Sequence, residues 1–479
     1  FDFRHDTVFA FRKELAELAR QRHGGKVIVQ THSSYPNFGI FTQCPTLIGS
    51  SEQQRLCSDA AFDSLGQNHS YVFRRRDNHY AFQTIYSSLQ RHNKIAWSEL
   101  DNRTWLSHLA DYKEYSLKGS VERERMNFGA NLCLGMVERR LTFNYGRSGQ
   151  NSVMWLGSPA LKRELRSFAA LEEFALGAPW KSDKEIAVFV SYRSSNYMDA
   201  LTPMPWFNQV FQLLQKELHF IGAPFDVYHL EDIGDPFVQK QYKLYIFLNA
   251  EVMTDEQVSI IEKQYQKDGK TLLWFWAPGY LDETKGFQPE RVSRLTGMRL
   301  RIDKEPIDGK VIIDGKLASE FGATEFQPQR AYANRKWFES CYGPHFYVDD
   351  PTAGIAGRYA HNDKPAFAVQ GLAEWTSIFC GVPYLPRRII QTIAWRAGIH
   401  IYFDSTSIAM TACRDWVMVY NPASQWRKIE LRLPRPSRVY DVFKKKIATD
   451  VVLSMRPFQT KLLYIGERDI GPISEGLDW

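Results

Sequence analysis

The chain has 479 residues, of which 44% are hydrophobic and 24% charged, and its formal net charge is +6. This composition is ordinary for a globular protein, excludes extensive disorder and, at this length, predicts two to four domains. The charge is too dilute to indicate a nucleic-acid-binding protein, and the short runs Arg74-Arg75-Arg76 and Lys444-Lys445-Lys446 are interpreted as solvated turns. The aromatic fraction of 14% suits either a sugar site or a large aromatic core.

The cysteines, at positions 44, 57, 133, 341, 380 and 413, form no Cys-x-x-Cys pair. The sequence also lacks His-Glu-x-x-His, so it contains neither of two common zinc-binding patterns. A chain of this size does not need a disulfide framework. The sequence therefore predicts no metal site.

The first region, residues 1–182, alternates between helical and strand-like patterns. Helical periodicity begins after Asp6 or Thr7, either of which can cap the helix, and Gly24-Gly25 ends it. Further helices are predicted at 80–90 and 121–134, and strands at 26–31, 61–65, 94–98 and 141–145. Short strands alternating with helices indicate a parallel sheet, and polar residues gathered beyond the strand ends are typical of a (β/α)8 barrel.

A second α/β pattern begins after a boundary near residues 179–184. Its strands are predicted at 186–191, 225–229, 244–248 and 271–276, with helices that include 204–218 and 255–266. This alternation indicates a flavodoxin-like, doubly wound sheet. Shorter β-like segments occupy about 297–370, and the α/β pattern resumes at 366–379 with a helix at 386–398. From about residue 400 the pattern is all-β, with strands predicted at 408–411, 416–421, 428–433 and 461–465, which is typical of a small sandwich.

Three stretches, taken in their order and spacing, resemble the family 42 β-galactosidases and their relatives. The first is residues 98–104 (SELDNRT), at the end of a predicted strand. The second comprises residues 242–249 (YKLYIFLN) and 269–279 (GKTLLWFWAPG), and the third is residues 393–402 (IAWRAGIHIY). Together they place the resemblance over almost the whole chain.

The resemblance implies an α/β multidomain fold with three parts. Residues 1–182 would form strands five to eight of a (β/α)8 TIM barrel, its C-terminal half. Residues 183–400 would form an amidotransferase-like trimerisation domain with a β-rich insertion near 297–370, and residues 401–479 a C-terminal β-sandwich. The implied function is that of a retaining exo-β-glycosidase, similar to the β-galactosidases, that acts on a carbohydrate substrate, needs no cofactor and assembles as a homotrimer.

Within this resemblance, Glu99 occupies the position of the catalytic nucleophile, after barrel strand seven. A retaining glycosidase needs an ionised nucleophile and a protonated acid/base about 5–5.5 Å apart. Glu99 follows an apolar strand that would hold it rigidly, and Arg103 is a nearby cation that would keep it ionised. The structural alternative is an ordinary ion pair between Glu99 and Arg103 at a strand end.

Polar and aromatic residues near the predicted strand ends are candidate substrate contacts, namely His32, Tyr35, Asn68, Tyr71, Trp97, Asp101, Arg103 and Tyr145. Asp101 either binds a sugar hydroxyl or orients Arg103, with a helix-capping role as the alternative. Trp97 shares one side of its strand with Glu99, where it either stacks on a sugar or fills the barrel. Glu124 lies in a predicted helix, where solvation or pairing with an arginine is the simpler interpretation.

Strands one to four of the barrel have no counterpart in this sequence. The family's acid/base Glu follows strand four, so we expect it upstream of residue 1 or on another chain. Four strands cannot close such a barrel, and the open sheet would expose two edges and an apolar face. We therefore expect residues 1–180 to pack against an N-terminal half-barrel segment or chain that supplies strands one to four.

Two other functions stay open at this point. A non-catalytic carbohydrate-binding or scaffold protein on the same fold would result from loss of half the barrel and its acid/base. An amidotransferase-like hydrolase is disfavoured, because Cys380 lacks the flanking glycines of a nucleophile elbow.

Overall fold

A computed structural model of the chain describes residues 2–32, 53–70, 73–107, 113–142, 154–198, 204–329, 331–333, 336–338, 341–448 and 452–477. Three groups of β-structure follow one another along these residues, at about 30–140, 186–380 and 409–464. None of the helices in the described ranges combines the length and the apolar character required to cross a membrane.

The first region is a parallel sheet whose strand order follows the chain. Its elements are α1 (Asp2–Arg22), β1 (Gln30–His32), α2 (Gln53–Ser58), β2 (Ser64–Asn68), α3 (Tyr86–Arg91), β3 (Ile95–Leu100), α4 (Leu117–Leu134), β4 (Val137–Arg140) and α5 (Pro159–Leu176). The predicted four-stranded parallel sheet is confirmed.

The fourth strand of this sheet lies earlier in the sequence than predicted. It occupies Val137–Arg140 instead of residues 141–145, because α4 ends at Gly135 in the left-handed conformation (φ 65°) and the chain enters the sheet almost at once. Three of its four residues are charged, so it lacks the apolar run on which the strand prediction relied. Pairing of Trp97 with Val137 fixes its register.

Other boundaries in the first region were also predicted wrongly. The first strand is Gln30–His32 instead of 26–31, and the helix predicted at 80–90 is Tyr86–Arg91. The second strand is Ser64–Asn68 instead of 61–65, which moves Asn68 from the following loop into the strand. Helix α1 already begins at Asp2, so Asp6 and Thr7 lie within it and do not cap it. The hydroxyl of Thr7 donates to the carbonyl of Phe3, one turn earlier. Gly24 and Gly25 follow the helix with positive φ, as predicted.

The second region is built on a nine-stranded sheet with the order β13-β12-β17-β18-β19-β8-β7-β5-β6. Its elements are β5 (Ile186–Val190), α6 (Met204–Trp206), β6 (Asp226–His229), α7 (Pro236–Gln241), β7 (Leu244–Phe247), α8 (Asp255–Ile260), β8 (Lys270–Phe275), β9 (Leu281–Asp282), β10 (Gly286–Phe287), α9 (Pro289–Thr296), β11 (Leu300–Asp303), β12 (Val311–Ile313), α10 (Gly315–Phe321), β13 (Glu325–Phe326), β14 (Ala331–Ala333), β15 (Lys336–Phe338), β16 (His345–Val348), β17 (Gly354–Tyr359), β18 (Pro365–Gly371), β19 (Trp375–Cys380) and α11 (Arg387–Arg396). Helices α6 and α8 continue as π-helices over Phe207–Leu214 and Ile261–Tyr265.

The parallel part of this sheet has the flavodoxin-like topology. Strands β6, β5, β7, β8 and β19 are neighbours in that order, so the strands run second, first, third, fourth and fifth across the sheet. The β-rich insertion adds antiparallel strands beyond β19 and thereby widens the same sheet. The flavodoxin-like prediction is confirmed.

The third region is all-β, as predicted. Its strands are β20 (Ala409–Ala412), β21 (Trp416–Tyr420), β22 (Arg427–Glu430), β23 (Tyr440–Asp441), β24 (Lys446–Ile447), β25 (Val452–Met455) and β26 (Thr460–Tyr464), followed by α12 (Gly471–Glu475). Strands β22 and β25 pair apart from the five-stranded sheet β20-β21-β26-β23-β24. Apolar side chains of both sheets, among them Val419, Leu463 and Met455, share one core.

The three regions pack against one another through buried contacts. The hydroxyls of Ser87 and Ser88 on α3 accept hydrogen bonds from the backbone of β6. Helix α4 lies on the third region so closely that a Cβ added to Gly129 would come within 2.8 Å of Met418. The position thus requires glycine, and the regions share one hydrophobic core.

The first sheet has one covered and one partly open face. Leu65 and Ala96 face the helices and are buried in the shared core. On the opposite face Ile95 is 43% exposed and Val137 55%. Helix α1 also exposes an apolar stripe, which consists of Phe11, Leu15 and Leu18.

Candidate functional site

The carboxyl ends of the first sheet's strands bring the predicted catalytic residue together with predicted contacts from two other strands, His32 and Asn68. His32 ends β1, and its Nε2 lies 3.9 Å from Oε2 of Glu99 on β3. Strand pairing sets Asn68 beside Glu99 and Glu99 beside Arg139. Since side chains alternate along a strand and paired residues point to the same face, Trp97, Glu99 and Arg139 share one face of the sheet.

Glu99 is only 9% exposed. This burial raises the pKa of its carboxyl above the usual value, and the negative charge of Asp101 adds to the rise. The guanidinium groups of Arg139 and Arg74 act in the opposite direction. Desolvation therefore favours the neutral form of the Glu99 carboxyl, whereas the two cations favour its ionised form.

The cations that act on Glu99 differ from the one expected from the sequence. Arg103 was expected to keep Glu99 ionised because it is near in sequence, but the charges that lower its pKa belong to Arg139 and Arg74. Arg139 is a neighbour through strand pairing, 40 positions along the chain. Arg103 lies beyond the end of β3, where its carbonyl accepts a hydrogen bond from the backbone of Glu114.

Trp97 is packed into the sheet face instead of being presented to solvent. Its side chain is 2% exposed and lies over Gly66, where an added Cβ would come within 2.2 Å of the indole. The ring centroid of His32 is 5.4 Å from that of Trp97, and the Arg139 guanidinium lies 5.4 Å from the indole centroid. This placement favours the core-filling alternative for Trp97 over a sugar platform.

Asn68 and Asp101 are both engaged in holding the loops around Glu99. Asn68 is buried, and its side-chain amide donates to the carbonyl of His69 at 3.0 Å. Asp101 is also buried and forms an ion pair of 2.5 Å with Arg74. Its helix-capping alternative is wrong, because the described residues that follow it, 102–107, are not helical.

Arg74 is a site residue that the sequence analysis missed. It was interpreted as part of a solvated turn, but it is buried and its guanidinium also donates to the carbonyls of His69 and Asp101. It thus joins the loop after β2 to the loop after β3, which carries the residues next to Glu99. A run of three arginines contains no local signal of which member is buried.

A second charged cluster lies on the opposite face of the sheet from Glu99. Arg140, on the opposite face of β4 from Arg139, pairs with Glu124 and Glu138. Glu124 also accepts a hydrogen bond of 3.1 Å from the side chain of Asn102, which follows β3. The predicted pairing of Glu124 with an arginine is confirmed, whereas its predicted solvation is wrong because the residue is buried.

The remaining predicted contacts, Tyr35, Tyr71 and Tyr145, lie outside the described residues. The described part of the chain contains no group of three or more His, Cys, Asp or Glu side chains placed to hold a metal ion. In the second region the Cys380 thiol donates to the carbonyl of Tyr384, and burial raises its pKa to about 12. A thiol that ionises so poorly is unsuited to nucleophilic attack, in agreement with the sequence argument against an amidotransferase.

Several solved structures that are similar to this chain are β-galactosidases. The enzyme from Bacillus circulans sp. alkalophilus has a TM-score of 0.57 and 11% identity, covering 84% of this chain and 63% of that one. The enzyme from the psychrophilic Marinomonas ef1 has a TM-score of 0.58 and 12% identity, covering 96% and 67%. A catalytic mutant of a family 42 β-galactosidase from G. stearothermophilus has a TM-score of 0.54 and 11% identity, covering 84% and 63%.

No protein-family model matches the chain, and no curated protein matches its sequence. At this level of identity the similarity concerns the fold. The chain spans 63% of the length of the Bacillus circulans enzyme.

Proposed function

We propose that this chain, whose fold is similar to that of the family 42 β-galactosidases, provides the nucleophile of a retaining exo-β-glycosidase. Glu99 attacks the anomeric carbon, and a second carboxyl protonates the leaving oxygen. The observation that carries the proposal is the position of Glu99 at the carboxyl end of a parallel strand, buried beside Arg139. A terminal β-linked sugar similar to galactose is the proposed substrate, and the mechanism needs no cofactor.

The net effect of its surroundings raises the pKa of Glu99, so the nucleophile role is proposed from its position in the fold and from the cations beside it. Two guanidinium groups, those of Arg139 and Arg74, favour the ionised carboxylate that attack on carbon requires. Partial burial limits its hydration, which leaves the carboxylate more reactive once a substrate is bound. His32, whose Nε2 lies 3.9 Å from Oε2 of Glu99, is a proposed substrate contact, and Arg103 and the three tyrosines stay proposed contacts.

The acid/base is proposed to come from outside the described residues. Asp101 acts on Glu99 electrostatically, but it is held in a buried ion pair with Arg74 and is therefore poorly suited to exchange a proton with substrate. We propose that an N-terminal half-barrel segment, or a separate chain, covers the face at Ile95 and Val137 and brings the missing carboxyl. Residues 1–182 would then be strands five to eight of the barrel.

The second and third regions are proposed to have assembly roles. Residues 183–400 would form the trimerisation domain and residues 401–479 the C-terminal sandwich. Light scattering on the purified protein tests the homotrimer, and a monomer at micromolar concentration would contradict it.

The nucleophile is tested by covalent trapping with 2,4-dinitrophenyl 2-deoxy-2-fluoro-β-galactoside. The dinitrophenolate leaves without protonation, so labelling needs the nucleophile and does not need the acid/base. We expect one fluorosugar adduct, which peptide mapping places on Glu99. Glu99→Gln should not be labelled, whereas Glu173→Gln, the same change at an exposed residue of α5, should be labelled like the unmodified chain.

The same experiment separates the proposal from the non-catalytic alternative. That alternative is favoured by the ion pair between Asp101 and Arg74. Because Asp101 is engaged in this pair, no acid/base is evident among the described residues around Glu99. A protein that binds galactosides by calorimetry but acquires no adduct, alone or with an N-terminal half-barrel, would be a carbohydrate-binding protein. An adduct on any residue other than Glu99 would contradict the nucleophile assignment.

A further inference from the structure

A cleft at the amino end of the second sheet contains an exposed tryptophan. The cleft has a volume of about 440 Å³, and Glu185 and Lys243, which precede β5 and β7, line it. Trp395, in the last turn of α11, also lines the cleft and is 66% exposed. Its other lining residues include Ile399 and Tyr402, which are buried. The volume suits a small ligand, and no lining residue belongs to the candidate site of the first region.

Hydrogen bonds hold the polar side chains of the cleft around the turn that follows Trp395. The backbone N–H of Gly398 donates to the carbonyl of Trp395 at 3.0 Å, and the Lys243 ammonium donates to the carbonyl of Gly398 at 2.9 Å. The Glu185 carboxylate accepts from the backbone N–H of His400 at 2.8 Å and pairs with Lys243. One network of hydrogen bonds therefore connects the tryptophan to three polar residues of the cleft.

These polar side chains keep hydrogen-bonding capacity for a ligand. The Lys243 ammonium meets two acceptors, Glu185 and the Gly398 carbonyl, so one of its three N–H groups stays available, and its side chain is 53% exposed. Nε2 of His400 lies 2.9 Å from the carbonyl of Arg432. Because a carbonyl only accepts, Nε2 carries the hydrogen, and Nδ1 of the neutral ring can accept one. The cleft thus offers both donors and acceptors.

The charges of the cleft are balanced. Each charged side chain that lines the described cleft has a partner of opposite charge. The pairs are Asp183 with Arg435, Lys184 with Asp226, and Glu185 with Lys243. Within the described cleft, an acidic ligand would meet no unpaired cation, and a cationic ligand would meet no unpaired carboxylate. The cleft therefore favours a neutral ligand.

We propose that this cleft is an accessory binding site for a neutral pyranose sugar that forms part of a polysaccharide. The apolar C–H face of a pyranose ring stacks on an exposed aromatic ring, and each sugar hydroxyl both donates and accepts hydrogen bonds. Trp395 supplies the ring, and Glu185, Lys243 and His400 supply the acceptors and the donor. A protein partner is less suited, because charged residues are depleted at the centres of protein interfaces. The inference goes beyond the proposed glycosidase, since it requires neither a nucleophile nor an acid/base.

The test is affinity electrophoresis of the full chain through gels that contain β-1,4-galactan, xylan or galactomannan, which are neutral polysaccharides. Every protein carries Glu99→Gln, so that hydrolysis does not alter the polymer. We expect at least one polymer to retard the chain, and Trp395→Ala to weaken the apparent affinity by about tenfold or more, as loss of an aromatic anchor does. Trp426→Ala, a matched change at a third-region tryptophan that is 64% exposed, should be retarded like its parent.

Fluorine NMR on protein that contains 5-fluorotryptophan locates the sugar without truncating the side chain. Trp395→Phe identifies the Trp395 resonance by its loss. That resonance should shift during titration with β-1,4-galactotetraose, xylotetraose or mannotetraose, whichever corresponds to the retarding polymer. The Trp426 resonance should stay in place.

Three results would overturn the proposal. These are retardation by none of the three polymers, retardation that survives Trp395→Ala, and a Trp395 resonance that the oligosaccharide does not move. Light scattering tests the other occupant, a second copy of the chain. Trp395→Ala should keep the oligomeric state of the unmodified chain, and a changed state would place Trp395 at a subunit interface instead. Failure of covalent labelling at Glu99 would not alter any of these results, so the two proposals fail separately.

Discussion

The parallel strands of the first and second regions come from the same alternation of strands and helices, yet they differ in how they are covered. In the second region every residue of β5, β7 and β8 is buried, so both faces of the sheet are covered. In the first region β4 alternates between exposed and half-buried residues, and Val137 is more than half exposed. Parallel sheets are normally buried on both faces. The inner strands β2 and β3 of the first sheet are buried as well, so the difference lies at its edge strand β4, where we propose that a further segment packs.

The polar residues at the carboxyl ends of the two sheets differ in the same way. After β7, the side chain of Asn249 accepts a hydrogen bond from the backbone of Ser191 at 2.9 Å and also donates to its carbonyl. This pairing connects two neighbouring strands and uses the hydrogen-bonding capacity of Asn249 internally. At the end of β3, Glu99 instead lies beside charged groups of neighbouring strands and has a perturbed pKa. Perturbed carboxyls are typical of functional sites, and the second region also has them, since burial raises the pKa of Glu231 and Glu251 to about 7. The proposal that the chemistry lies in the first sheet therefore rests on the position of Glu99 in the fold.

The largest expected effect is on kcat, which under the proposed function depends on Glu99 in the first sheet. Glu99→Gln keeps the shape of the side chain but removes the charge that attacks carbon, so we expect kcat of the complete enzyme to fall to background with little change in stability. Steady-state kinetics with a nitrophenyl β-galactoside measures it, with Glu173→Gln, at an exposed residue of α5, as the control. Retention of more than about a tenth of kcat, an effect under about 1.4 kcal/mol, would show that Glu99 is not the nucleophile.

Stability should respond to truncation far more in the second sheet than in the first. Leu273 on β8 is fully buried, so Leu273→Ala should lower the free energy of unfolding by about 2–5 kcal/mol. Ile95→Ala is the matched change on the open face of β3, where we expect a loss below about 1 kcal/mol. Urea unfolding followed by circular dichroism compares the two variants, and equal losses would show that the first sheet is covered after all.

The interface between the two sheets should be sensitive to acid. The rings of His79 and His219 lie 4.2 Å apart, and burial lowers the pKa of His219 to about 3. An imidazole with a folded pKa below its unfolded value of about 6.5 is favoured neutral in the native state, so its stabilising effect is full above pH 6.5 and declines as the pH falls toward 3.

At pH 5 this single group should lower the free energy of unfolding by roughly 2 kcal/mol relative to pH 7.5. His219→Phe, which keeps an aromatic ring without a titrating nitrogen, should lose less stability between those two pH values. Urea unfolding at both pH values measures the difference. An unchanged pH dependence in the variant would mean that His219 already carries its proton in the folded protein.

The smallest expected effect concerns association through the open face. Val137→Lys places a charge on exposed apolar surface, so the isolated chain should remain folded and self-associate less. Ile312→Lys is the matched change at a similarly exposed residue of the second sheet and should alter association little. Light scattering at increasing concentration measures both. If an N-terminal half-barrel is added, Val137→Lys should weaken its binding, and unaffected binding would contradict the proposed covering of this face.

Much of the fold was determined by the sequence alone, because apolar runs report local burial. The strands predicted at 186–191, 244–248 and 271–276 agree with β5, β7 and β8 to within a residue or so at each end. Their order along the chain was sufficient to indicate the flavodoxin-like topology. The same reasoning placed Glu99 at the end of its strand, since the apolar run before it ends in polar residues.

Other features depended on the tertiary structure. The fourth strand consists of Val137, Glu138, Arg139 and Arg140. It forms a strand because it pairs with β3 and because Arg140 forms ion pairs with Glu124 and Glu138. The cation beside Glu99 was predicted to be Arg103 and is Arg139, since pairing between strands decides which distant residues become neighbours. Burial of Arg74 with Asp101 likewise requires two loops to meet. Local pattern determines which segments can form strands, whereas the charges that surround a carboxyl are decided by the packing of segments far apart in sequence.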